Sequence, residues 1–182
     1  MLIVEGPDGA GKTTLVRQLA EELKLPVAPR VVDKDTTTKY DMKDWVDNNL
    51  EEGFQPVIFD RHRLISEPIY GPILRNSQQP VMTDIKWLGP RLRRFYDLEP
   101  IIIYCLPPFT EVFMNVTHDD DNEAVRFQIE KIYAAYVTRA SLDHTFASGI
   151  VKIWDYTRSL TINDKPSWLD GVRHHLDERL AA

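Results

Sequence analysis

Residues 6–13 read Gly6-Pro7-Asp8-Gly9-Ala10-Gly11-Lys12-Thr13, the spacing G-x-x-x-x-G-K-[ST]. That spacing signals a phosphate-binding loop when a strand precedes it and a helix follows. Both neighbours are in place. Leu2-Ile3-Val4 is an apolar run, and residues 14–23 place Leu15, Leu19 and Leu23 on one helical stripe. The physics accounts for each fixed residue. Gly6, Gly9 and Gly11 allow turns that direct successive N–H groups inward and admit phosphate oxygens closely, with the intervening Ala10 small enough to follow. The helix that starts near Lys12 adds the positive end of its dipole. Lys12 brings a mobile charge for β- and γ-phosphates. Thr13 offers a hydroxyl to magnesium, and Thr14 extends the polar helix start. The loop therefore implies a bound nucleoside triphosphate.

The chain has 182 residues, enough for one α/β domain, and we read 1–182 as a single unit. Hydrophobic residues make up 43% and charged residues 27%, and the net charge is −6, which gives no global attraction to nucleic acid or anionic membrane. The single cysteine, Cys105, lies in an apolar run and reads as a buried strand residue in a reducing compartment. No signal peptide opens the sequence and no stretch is long and apolar enough to span a bilayer, so a cytoplasmic location is expected.

Five short apolar runs, at 2–5, 26–32, 56–60, 100–106 and 150–154, read as buried parallel strands separated by helices. Asp41 is placed to cap a helix carrying Met42, Trp45, Val46 and Leu50, with Gly53 as its stop. Pro68, Pro72, Pro80 and Pro90 are expected to cut the segment between the third and fourth runs into short helical pieces. Residues 122–142 form the clearest long helix, and residues 166–180 form the last.

The third run ends in Phe59-Asp60-Arg61-His62. A carboxylate and an arginine at the carboxyl end of a parallel strand sit where open α/β sheets bind ligands. Asp60 is a candidate to hold magnesium or to take a proton, and Arg61 to clamp a phosphate bidentately. A plain ion pair capping the strand is the alternative.

These segments resemble the thymidylate kinase family. Residues 5–14 match its E-G-x-D-G-x-G-K-[ST]-T loop, and Asp60-Arg61-His62 with Ser66 and Tyr70 is similar to its D-R-[YFH]-x-x-S-x-x-A-Y run. Short thymidylate-kinase-like proteins of bacteriophages look closer still, through Tyr133-x-x-Tyr136 and Trp154-Asp155-Tyr156-Thr157. Two features depart from the family: Arg30–Asp35 stands where T-R-E-P-G-G is usual, and Gly71 stands where a thymine-reading glutamine is usual.

The resemblance implies a P-loop kinase fold with a five-stranded parallel sheet in the order 2-3-1-4-5, helices on both faces and a short lid near 115–123. It implies Mg-ATP as phosphate donor. It places Glu5 and Asp8 beside the acceptor, with Ser66 and Tyr70 in the same run, and Arg61 on the transferring or acceptor phosphate. Arg75, Arg91, Arg93 and Arg94 supply positive charge where nucleotide kinases hold the acceptor. Arg126 is the nearest candidate for an arginine finger in cis, and Arg139 is more distant. Asp155 and Thr157, after the last strand, mark the expected adenine contacts. Trp45, Phe54 and Trp87 are candidates to stack a base, or are core aromatics.

The activity implied is transfer of the γ-phosphoryl group to a deoxynucleotide or nucleoside. One alternative is a kinase acting on the hydroxymethyl group of a modified pyrimidine in phage DNA, for which Asp8, Asp35 and Asp60 are candidate bases. Another is a nucleotide-dependent switch. Host cytoplasm would be the location of a phage-encoded member, and a homodimer is left open.

Overall fold

A computed structural model describes residues 1–29, 42–74, 84–117, 123–147, 149–158 and 168–181. Asp35, Asp41, Arg75, Pro80 and the tip of the expected lid (118–122) lie outside the described residues. The elements run β1 (Leu2–Glu5), α1 (Lys12–Leu23), α2 (Met42–Glu51), β2 (Ile58–Asp60), α3 (Arg63–Leu74), α4 (Ile85–Asp97), β3 (Ile101–Cys105), α5 (Phe109–Thr117), α6 (Glu123–Phe146), β4 (Val151–Trp154) and α7 (Leu169–Ala181).

The strands form one parallel sheet in the order β2-β1-β3-β4. Every residue of β1 and β3 is buried, and successive side chains point to opposite faces, so helices cover the sheet on both sides. The chain moves from β1 outward to β2, then crosses over to β3 on the other side of β1. That reversal opens a crevice at the carboxyl ends of β1 and β3. The loop after β1 enters it.

The expected five-strand sheet is corrected to four strands among the described residues. Of the run at 26–32, the described residues 26–29 contribute a bridge, with Val27 beside Ile58 in parallel sense. Ala28 N donates to Ile58 O (2.8 Å) and Ile58 N donates to Pro26 O (2.9 Å). Pro26 has no N–H to offer a ladder, and Val27 is exposed, so little holds this edge in strand form. The remaining strands keep the expected order, since β2-β1-β3-β4 is 2-3-1-4-5 without its outer member.

The prolines behave differently from the expectation as well. Pro68 and Pro72 lie inside α3, and Pro90 lies inside α4. Each removes one i→i−4 bond, but Leu64, Ile65, Ile69 and Tyr70 anchor α3 in the core. Tertiary packing outweighs the local penalty. Elsewhere the helices follow the sequence, and Gly53 ends the α2 segment at φ +75°. The expected lid begins as helix, because α5 continues through Thr117.

Helix α6 buries Val125, Ile129, Ile132, Tyr136, Ala140 and Asp143 along one stripe. Asp143 accepts hydrogen bonds from Tyr96 Oη (2.6 Å), Arg139 Nε (2.7 Å) and Tyr104 Oη. Arg139 also donates to Tyr96 Oη (2.8 Å). This buried charge is paired and saturated, which ties α4, β3 and α6 together beneath the crevice. It also commits Arg139 to the scaffold.

Candidate functional site

Gly6 adopts φ +144°, and a Cβ there would stand 2.5 Å from Cys105 O. Only glycine lets the loop cross the end of β3 so closely. Gly11 at φ +81° precedes α1, whose first turn has neither a side-chain cap nor an acidic residue. The orphan N–H groups of that turn and the dipole make an anion site. Thr13 and Thr14 are exposed at this point, and Ala10 is buried beneath it.

Lys12 is almost wholly buried and donates from Nζ to Pro7 O at 2.6 Å. Burial, with the cation Arg61 nearby, lowers its pKa to about 8 against the opposing pull of Asp8. A charge held folded onto its own loop, and disfavoured there, is suited to transfer to phosphate oxygens.

The β2 edge meets this loop. Arg61 follows β2 at φ +72°, a left-handed conformation unusual for a residue with a Cβ. Its Nη2 donates to Asp8 Oδ1 (2.6 Å) and to Tyr70 Oη (2.8 Å), while Tyr70 Oη donates to Asp8 Oδ2 (2.8 Å). The guanidinium also lies 4.8 Å from the Tyr70 ring centroid. Burial works to raise the Asp8 carboxyl, but Arg61 and Lys12 overcome it and hold Asp8 below the usual carboxylate range. Loop, strand end and α3 thus assemble one polar triad, and Arg61 Nε is a buried donor without a partner among the described residues.

Glu5, expected beside the acceptor, closes strand β1. It is fully buried, with Oε1 accepting from His62 N (2.6 Å) and Oε2 accepting from Tyr136 Oη (3.0 Å). Burial pushes its carboxyl up to about 7, against the His62 amide, Arg61, Tyr136 and Lys12. Ser66 is also turned inward, its hydroxyl donating to His62 O at 3.2 Å within α3.

Asp60 lies half-buried at the carboxyl end of β2. Its carboxylate and the Thr13 hydroxyl are hard oxygen donors, the type magnesium takes. No group of three or more His, Cys, Asp or Glu gathers to hold a metal among the described residues. A magnesium ion would therefore rely on these two groups and the phosphate oxygens of a nucleotide, which fits a metal that keeps few protein ligands.

Of the arginines expected at the acceptor site, Arg91, Arg93 and Arg94 are described, and they differ in surroundings. Arg91 is committed to Asp47 through two 2.6 Å bonds and lies 4.3 Å over the Trp87 ring, locking α4 to α2. Arg93 and Arg94 are exposed. Arg126 lies 4.0 Å from Glu123 and 5.9 Å from the Phe127 ring, on its own helix. The aromatic candidates are packed. Trp45 contacts Phe59 and His62, Phe54 lies under Arg179, and Trp87 lies between Arg91 and Lys43.

At the far side of the loop, Asp155 Oδ1 accepts from Thr157 N (3.0 Å) and Thr157 Oγ1 (2.6 Å), fixing the turn after β4. That turn sets Tyr156 against Gly11, where an added Cβ would meet its ring at 3.2 Å. Asn115, at the start of the expected lid, has a role that no motif marks. Its Nδ2 donates to Gly9 O (2.8 Å) and Tyr156 Oη (3.0 Å), latching α5 and the β4 turn to the phosphate loop. A lone asparagine in a helix carries no motif that would single it out.

No family model matches the chain, and no curated protein does. Solved structures resemble it over nearly its whole length. The YorR protein from Bacillus subtilis, in complex with phosphorylated GDP, superposes with a TM-score of 0.60 at 18% identity, covering 99% of this chain and 95% of that one. A deoxyadenosine kinase from M. mycoides with bound dCTP gives 0.56 at 16% identity, covering 98% and 100%. The same kinase with bound dATP gives 0.54 at 15% identity, covering 97% and 98%. These likenesses establish a P-loop kinase-like fold.

Proposed function

We propose that the chain is an ATP-dependent phosphotransferase that moves the γ-phosphoryl group of Mg-ATP to a nucleoside or nucleotide. One observation carries the reading. The phosphate loop does not stand alone, because Arg61 and Tyr70 reach Asp8 within it and form a second polar site beside the first. A switch protein has no use for that second site. The structural neighbours named as deoxyadenosine kinase support the same reading.

Lys12 and the first turn of α1 hold the triphosphate, and Thr13 and Asp60 would hold a magnesium ion. That ion would supply positive charge against the negative charge that develops in transfer. Arg61 orients the acceptor, and its Nε offers a further donor. Arg61 and Lys12 keep Asp8 ionised, so it can accept a hydrogen bond from an acceptor hydroxyl and orient it. A free nucleoside hydroxyl therefore ranks ahead of a monophosphate, whose negative charge would meet an arginine already paired. The same chemistry would serve a hydroxymethyl group on a base in DNA. Asp155, Thr157 and Tyr156 frame the adenine side of the loop. The test is whether ADP release requires an added acceptor, across deoxynucleosides, their monophosphates and a hydroxymethyluracil oligonucleotide. Acceptor-independent turnover would favour a switch.

A further inference from the structure

We infer that Glu5 is a positioning residue: its hydrogen bonds to the His62 amide and the Tyr136 hydroxyl hold the left-handed Arg61 turn, and so aim the Arg61 guanidinium at Asp8. The inference deepens the phosphotransferase reading and rests on it for the acceptor's role.

Three observations converge. First, Glu5 has no exposed surface, and each carboxylate oxygen already has a protein donor, His62 N at 2.6 Å and Tyr136 Oη at 3.0 Å. A group so enclosed cannot touch an acceptor in this arrangement. Second, the amide it binds belongs to the residue after Arg61, whose φ of +72° is strained for a side chain with a Cβ. Such a conformation persists only where its surroundings over-determine it. Here they do so from both sides, since Arg61 N donates to Val4 O (3.0 Å) and the next amide donates to Glu5. Two consecutive N–H groups of the β2 exit are thereby pinned to the end of β1. Third, the turn's geometry sets the direction of the guanidinium, which meets Asp8 at 2.6 Å and Tyr70 Oη at 2.8 Å.

Tyr136 carries the constraint into α6. Its ring lies 6.0 Å from the Tyr70 ring and 6.4 Å from the Tyr104 ring, so the same hydroxyl that binds Glu5 belongs to a packed aromatic wall. Glu5 thus joins β1, the β2 exit and α6 at one point. An error of an ångström at the turn would be passed to Arg61 directly.

The test compares Glu5→Ala, Glu5→Gln and Tyr136→Phe in the full chain. Glutamine can still accept from the His62 amide and donate to the Tyr136 oxygen, so it rescues a positioning role. Tyr136→Phe removes only the weaker anchor. The first readout needs no turnover: the Arg61 Nε–H resonance in selectively labelled protein. We expect slow solvent exchange in the wild type and in Glu5→Gln, and exchange at least tenfold faster in Glu5→Ala. The second readout is kinetic. Glu5→Ala should raise the acceptor KM or lower kcat by tenfold or more with ATP affinity within twofold, while Glu5→Gln and Tyr136→Phe stay within about threefold. Should Glu5→Ala fail to fold, the glutamine variant decides. An acceptor-step loss of tenfold or more in folded Glu5→Gln, or an unchanged Arg61 resonance in folded Glu5→Ala, would overturn the inference. If wild-type protein transfers phosphate to no acceptor, the functional reading fails, and the Arg61 resonance still decides the positioning claim.

Discussion

Arg61 and Asp8 lie fifty-three residues apart in sequence and 2.6 Å apart in space. The pair joins the β2 exit to the interior of the phosphate loop, and it converts a nucleotide-binding motif into a two-sided site. Its side chains are partly solvent-accessible, at 22% and 32%, so its role is more one of geometry than of stability.

Asp8→Asn should therefore lower turnover by on the order of a hundredfold while the fold is kept, because the variant loses the charge that holds Arg61 and orients the acceptor. In a double-mutant cycle on stability with Arg61→Lys, a coupling of about 1 kcal/mol is expected, as for partly exposed neighbours. Additive stability changes together with unchanged turnover would show that the contact is incidental.

Lys12 yields a prediction about protons. Its pKa stands at about 8 in the free protein, below the ordinary lysine value of 10.5. A bound triphosphate favours the charged form and draws that value upward. ATP binding at a pH between about 8 and the raised value should take up close to one proton, and affinity should fall as pH rises through that window. Calorimetry in buffers of different ionisation enthalpy reads the uptake directly. Lys12→Ala should abolish it and cost on the order of a hundredfold or more in transfer. Proton-neutral binding at pH 9 would contradict the placement of Lys12 on the phosphates.

His62 predicts the acid side of the stability curve. Burial lowers it to about 3 from the ordinary 6.5, and its ring packs among Trp45, Phe59 and Phe95. Between those values the unfolded chain holds a proton that the folded chain refuses. The stabilisation is complete above 6.5 and is lost as pH falls towards 3, at up to about 1.4 kcal/mol per pH unit. Glu5 runs the other way, since its raised pKa makes its contribution fall as pH rises from about 4.5 to about 7. The share of His62 is thus the difference between wild type and His62→Phe, measured by denaturant unfolding from pH 4 to 7. Parallel curves would show that His62 does not titrate as its burial requires.

Much of this architecture was legible because it is local. The loop at Gly6–Thr13, four of the five apolar runs and the stripe of α6 each carry a period or a spacing that neighbouring residues complete. What was not legible depends on distant partners. The run at 26–32 has strand-like residues, yet its described part, 26–29, makes a bridge and no strand, and Pro26 cannot donate to a ladder. Pro68, Pro72 and Pro90 obey local rules that the core overrides. Within the site, the family resemblance places Glu5 beside the acceptor, and only the fold reveals that His62 and Tyr136 enclose it. Arg91 carries charge expected at the acceptor site, and only the fold reveals its two bonds to Asp47, forty-four residues away.

The proposed transfer requires the two halves of the site to serve two substrates in one reaction. The most direct measurement is capture of label from γ-labelled ATP on an added acceptor, across deoxynucleosides, their monophosphates and a hydroxymethyluracil oligonucleotide, with Lys12→Ala and Asp8→Asn alongside. Label is expected on an acceptor hydroxyl, dependent on both residues. Hydrolysis of ATP at the same rate with and without every acceptor, and label found only in inorganic phosphate, would contradict it.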